Sequence, residues 1–123
     1  MDEIERFPLA EMQQEVYENN VAHGWFDRYR AFGDDISLIH SEVSEMFEAY
    51  RSGENGVMIP VKILTNSGVE ITYNPHSVEA EAADILIRLL DTCQRYGIDL
   101  DTAFREKMNY NKTRPYRHGN KVV

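Results

Sequence analysis

A chain of 123 residues with 42% hydrophobic and 28% charged content suffices for one domain, residues 1–123, with little core to spare. Its formal charge of −8 argues against a protein that binds a nucleic acid polymer or an anionic membrane, since both require a positive surface. The lone Cys93 excludes an internal disulfide, and neither a secretory signal nor an apolar stretch of membrane length is read, so a cytoplasmic protein is expected.

In chain order, the first helix is expected from about Pro8 to about Asn20, with Leu9, Met12, Val16 and Val21 on one face and an end near His23-Gly24. Trp25 and Phe26 follow that glycine, placed either to stack on a base or to cap the core. The second helix is expected over residues 35 to 51, with Asp34 or Asp35 as N-cap and Ser52-Gly53 as stop. Ile36, Ile39, Val43, Met46, Phe47 and Tyr50 form its apolar stripe, and Glu42 and Glu45 fall at the stripe's edge while Glu48 turns to the solvated face.

Between residues 57 and 73 the apolar period falls to two, which predicts a β-hairpin turning at Thr65-Asn66-Ser67-Gly68. Asn74-Pro75-His76-Ser77 then opens a strongly apolar helix over residues 78 to 96, stopped by Gly97. Glu81 and Asp84 lie on its more polar side, with Arg88 four residues on as an i, i+4 partner for Asp84. A last helix is expected from about Asp101 to Asn109, followed by a polar tail from Tyr110. Residues 105 to 121 carry six basic side chains against the single acid Glu106, whereas the first fifty residues carry twelve acids and three bases. His40 and His118 read as surface or structural groups.

Two acidic pairs carry the chemistry. Carboxylates at i and i+3 project from one helix face, so Glu42 and Glu45 beside Glu81 and Asp84 present four oxygen ligands to one point. Such a set suits a hard divalent cation, Mg²⁺ with Mn²⁺ able to substitute, and Mg²⁺ commonly bridges to substrate phosphates. A basic segment on an acidic body suits a small polyanion bound beside that cation.

The segments His40-Ser41-Glu42-Val43-Ser44-Glu45, Glu81-Ala82-Ala83-Asp84-Ile85-Leu86-Ile87-Arg88 and Lys107-Met108-Asn109-Tyr110-Asn111-Lys112-Thr113-Arg114 resemble the three motif blocks of the MazG-like, all-α nucleoside triphosphate pyrophosphohydrolases. The resemblance implies an all-α bundle of four main helices, here with the inserted hairpin, and Mg²⁺-dependent cleavage between the α and β phosphates to a nucleoside monophosphate and pyrophosphate. It implies metal ligands at Glu42, Glu45, Glu81 and Asp84, and phosphate contacts from Lys107, Asn111 and Arg114. Glu45 is the favoured base for the attacking water, and Trp25 is the candidate base-stacking residue. Ser41 stands where the family often has an acid, and the hairpin sets the two carboxylate motifs unusually far apart.

The apolar breadth of the long helices predicts self-association as a homodimer or homotetramer. Two other readings use the same features. One is a phosphoribosyl-ATP pyrophosphohydrolase; the other is a non-enzymatic oligomeric helical adaptor whose acidic pairs are surface decoration.

Overall fold

The computed structural model describes residues 9–53, 61–64, 68 and 70–122. Helix α1 spans Leu9–Ala22, α2 Phe32–Arg51, α3 Val78–Arg95 and α4 Leu100–Lys112, and a short turn, α5, closes the series at Arg117–Asn120. Between α2 and α3, strands β1 (Val61–Leu64) and β2 (Glu70–Tyr73) pair antiparallel, Val61 opposite Tyr73 and Leu64 opposite Glu70. Residues 57–60 and the turn positions 65–67, which belong to the expected hairpin, lie outside the described residues. The described chain is predominantly helical.

Each long helix begins for a local reason. In α2 the start comes three residues before the expected Asp35, because the Ala31 N–H donates to the Asp34 carboxylate at 3.0 Å. Asp34 thus serves one of the orphan donors from inside the first turn instead of standing at the cap. Asp35, the other expected cap, is 3% exposed and turned into the fold. At α3 the Asn74 Oδ1 accepts from the His76 N–H at 2.9 Å, and Ser77 Oγ then caps the helix by accepting from the Ala80 N–H at 3.1 Å. Gly97, at φ +66°, ends the run in the left-handed conformation that its missing Cβ permits. Asp99 caps α4 through the Thr102 N–H at 3.1 Å. This helix absorbs Tyr110–Lys112, expected in the tail; no glycine or proline stands between Leu100 and Pro115 to stop it earlier.

Helix α3 is the centre of the assembly, with α2 and α1 both packed on it and α4 leaning on α1. Gln13 ties these together. Its Nε2 donates to Gln94 Oε1 at 3.2 Å and to the Ile98 carbonyl at 3.1 Å, while its Oε1 accepts from the Leu100 N–H at 3.3 Å. Gln13 is therefore the buried position of α1, and Val21, expected on that face, is exposed. Among the described residues the buried apolar set is Ala49, Ala80, Leu90 and Cys93.

On α2 the residues that α3 covers are Asp35, Glu42 and Ala49, at seven-residue spacing. Phe47 at 62% and Tyr50 at 67% exposure, with Val43 beside them, lie outside the core that their periodicity predicted. The reason is that α3 packs on the edge of the apolar stripe, where two acids meet arginines, and leaves the stripe's other edge open. Among the described residues no helix is long and apolar enough to cross a membrane.

Candidate functional site

Because α2 packs along α3, the carboxylates of Glu42 and Glu45, one turn apart, meet Glu81 near the start of α3. One carboxylate oxygen from each of the three lies within 4.8 Å of the other two. Asp84, a turn beyond Glu81, lines the same open cleft of about 480 Å³, together with Glu48 and His76. Glu42 and Glu81 are buried, Asp84 is half-buried and Glu45 is exposed.

The acids repel one another, which favours their protonated forms. A hydrogen bond with Glu42 and the Glu42 charge hold the Glu45 carboxyl above the ordinary carboxylate range, with further contributions from desolvation and Glu81. Burial raises Glu81 most, followed by the charges of Asp84 and Glu42. Burial and Glu42 likewise raise Asp84, against an opposing pull from Arg88. Arg88 does not spend its hydrogen bond on Asp84, as the i, i+4 spacing suggested. It reaches across to α2, where Nε donates to Glu42 Oε1 at 2.7 Å.

Glu42 Oε2 and Glu81 Oε2 are buried without a hydrogen-bond partner. Orphaned carboxylate oxygens of this kind are costly, by about 1–3 kcal/mol or more for a charged group. A cation shared between them would offset that cost. The donor set is all oxygen, which is the preference of Mg²⁺ and Mn²⁺ and unlike the nitrogen and sulfur sets of zinc, so these residues fit a hard divalent ion.

A second cleft, of about 270 Å³, shares Glu42 and Asp84 with the first and continues past Arg88 to Asn20, Trp25 and Asp91. Trp25, 62% exposed, lines it. Beside this cleft is a charged cluster that motif reading misses. Asp35 accepts from Arg95 Nη1 at 2.6 Å and from the Tyr96 hydroxyl at 3.3 Å and pairs by charge with Arg30 Nε at 3.2 Å, while Arg30 Nη2 stands 3.9 Å from Asp91. Arg95 and Arg30 also cover the Phe26 ring at 4.6 and 5.7 Å, which fixes Phe26 as part of the fold beside the loop that carries Trp25. The one sequence signal for these acids is spacing: Asp35 precedes Glu42, and Asp91 follows Asp84, by two helical turns.

The basic block is elsewhere. Lys107, Asn111 and Arg114 line neither cleft. Lys107 Nζ lies 4.9 Å, and the Arg114 guanidinium 5.7 Å, from the ring centre of Tyr110, so two cations flank one exposed aromatic ring on α4. The half-buried Asn111 keeps its Oδ1 without a partner. Within one chain the fold therefore brings together Glu42, Glu45, Glu81, Asp84 and Trp25, and sets Lys107, Asn111 and Arg114 apart from them. His40 is exposed on α2, and His118 lies exposed in α5. Comparison with protein-family models, curated proteins and solved structures returns no match.

Proposed function

We propose that the chain is a divalent-cation-dependent nucleoside triphosphate pyrophosphohydrolase of the MazG-like kind, releasing a nucleoside monophosphate and pyrophosphate. The observation that carries this is the convergence of Glu42, Glu45 and Glu81 from two helices, with buried oxygens of Glu42 and Glu81 left unpartnered. Glu42, Glu45, Glu81 and Asp84 would hold the ion. Mg²⁺ or Mn²⁺ there would neutralise the carboxylates toward a polyanion and supply Lewis acidity to a phosphoryl oxygen.

The remaining roles belong to the chain. Arg88 anchors Glu42 through one oxygen and so leaves the other to the site. Glu45 is exposed and its neighbours Glu42 and Glu81 hold its carboxyl above the ordinary carboxylate range, so it is the group assigned to orient a water and take its proton. Trp25 offers a face to the base from the second cleft. Lys107, Asn111 and Arg114 carry donors suited to phosphate, and because they line neither cleft of their own chain they are assigned to the cleft of a second copy. Exposed Val43, Phe47 and Tyr50 on α2, Leu86 and Leu89 on α3 and Met108 on α4 supply apolar surface for such a homodimer or homotetramer. A cytoplasmic location, where triphosphates are abundant and a lone buried thiol stays reduced, goes with this reading.

Light scattering of the purified chain should report a mass above that of a monomer. The same sample, given Mg²⁺ and a triphosphate, should yield monophosphate and pyrophosphate by phosphorus NMR. Diphosphate with free phosphate, or no cleavage across the common and modified triphosphates, would contradict the assigned reaction; an active monomer would remove the second copy from the site.

A further inference from the structure

The cleft that runs from Glu42 and Asp84 along α3 has more acceptor capacity than the fold uses. Asp91 is 5% exposed and lines this cleft, and its Oδ1 has no hydrogen-bond partner. Asn20 hydrogen-bonds the same carboxylate, and Arg30, which also lines the cleft, lies 3.9 Å from Oδ2 and pairs by charge with Asp35 at 3.2 Å. Asp91 follows Asp84 by seven residues on one helix, so about 10 Å of helix rise separates them. With an α-phosphate at Asp84, that separation passes the ribose hydroxyls and reaches the far edge of the base. Trp25 lines the same cleft and offers a ring face to a planar ligand.

Resting on the pyrophosphohydrolase reading, we infer that this cleft takes the nucleobase and that Asp91 selects bases bearing an exocyclic amine, cytosine or adenine, over their keto counterparts uracil and hypoxanthine. A carboxylate has acceptors only. An amine brings N–H donors to the unused oxygen, whereas a keto oxygen sets lone pairs against it and leaves both buried acceptors unsatisfied. A site built on such a bond rejects the analogue that lacks it far more strongly than a hydrophobic pocket rejects a change of size.

Calorimetry with CMP against UMP, and AMP against IMP, in Mg²⁺ tests this with ligands that differ by one amine-to-keto exchange. Wild-type protein should favour the amine in both pairs by roughly 10- to 100-fold. Asp91→Asn, whose amide can donate to a keto oxygen, should bring the two members of each pair close to equality. Trp25→Ala, at an exposed position, should weaken all four ligands while keeping the ratios. Equal binding within each pair, a keto preference, or an amine preference that survives Asp91→Asn would overturn the inference, as would a Trp25→Ala variant that binds all four like the wild type. Binding is read without turnover, so the two claims separate. An amine preference in a chain that hydrolyses no triphosphate keeps the base cleft and removes the pyrophosphohydrolase; hydrolysis without preference does the reverse.

Discussion

Glu81→Gln is expected to lower triphosphate turnover roughly 10³-fold while raising the melting temperature of the cation-free protein. Glu81 is a buried acid whose ionised form suffers from desolvation and from the charges of Asp84 and Glu42. Its folded-state pKa lies above the unfolded one, so the folded protein binds the extra proton between the two values. Stability therefore falls as pH rises from the ordinary carboxylate range, about 4, through the raised value, and stays lowered above it. Glutamine has no such titration. The gain should be about 1 kcal/mol at pH 7, a few degrees of melting temperature for a chain of this size, and should shrink toward zero near pH 4. Thermal melts at the two pH values, in chelator, measure it. A variant less stable than wild type at pH 7, or one that keeps full turnover, would show that Glu81 is an ordinary structural acid.

Asp35→Ala should be the most destabilising single change outside the cleft residues, at about 3–5 kcal/mol. The carboxylate is buried and is the shared partner of Arg95 at 2.6 Å, Arg30 at 3.2 Å and the Tyr96 hydroxyl at 3.3 Å. Its removal leaves Arg95 without its 2.6 Å anion and Arg30 with Asp91 alone, 3.9 Å away, a loss comparable to the whole stability of a marginal domain. The loop from His23 to Ala31 should loosen too, because Arg30 and Arg95 cover Phe26, whose ring in turn lies 5.2 Å from Tyr17. Urea unfolding reads the stability, and a midpoint within about 1 kcal/mol of wild type would mean the network adds little. Nucleotide binding in the surviving folded fraction should weaken as well, since Trp25 sits on that loop.

What the sequence discloses and what it conceals divide along range. Helical period alone places Glu42 with Glu45 and Glu81 with Asp84 on single faces, and Ser77 and Gly97 mark the ends of α3 by their own side-chain chemistry. These are local signals. The burial of Asp35 and Glu42 is not local, because it depends on Arg95 and Arg88, which lie 60 and 46 residues away in the chain. An apolar stripe announces that a helix packs, without saying which edge its neighbour takes; in α2 the neighbour takes the edge with the acids and leaves Phe47 and Tyr50 outside. The Lys107–Arg114 block is legible as a basic segment suited to a polyanion, yet its place beyond both clefts depends on how α4 leans on α1, which no motif encodes. Asp91 offers only its two-turn spacing from Asp84, a pattern common on any helix.

Calorimetric titration of Mn²⁺ into the cation-free protein tests most directly whether Glu42, Glu45, Glu81 and Asp84 form one divalent-cation site. Glu18, exposed on α1 and, among the described residues, bonded to Gln14 at 2.6 Å, serves as the acidic control. Saturable binding is expected that weakens roughly 10- to 100-fold in both Glu81→Gln and Asp84→Asn and is unchanged in Glu18→Gln. No saturable binding, or equal affinity in all four proteins, would contradict it.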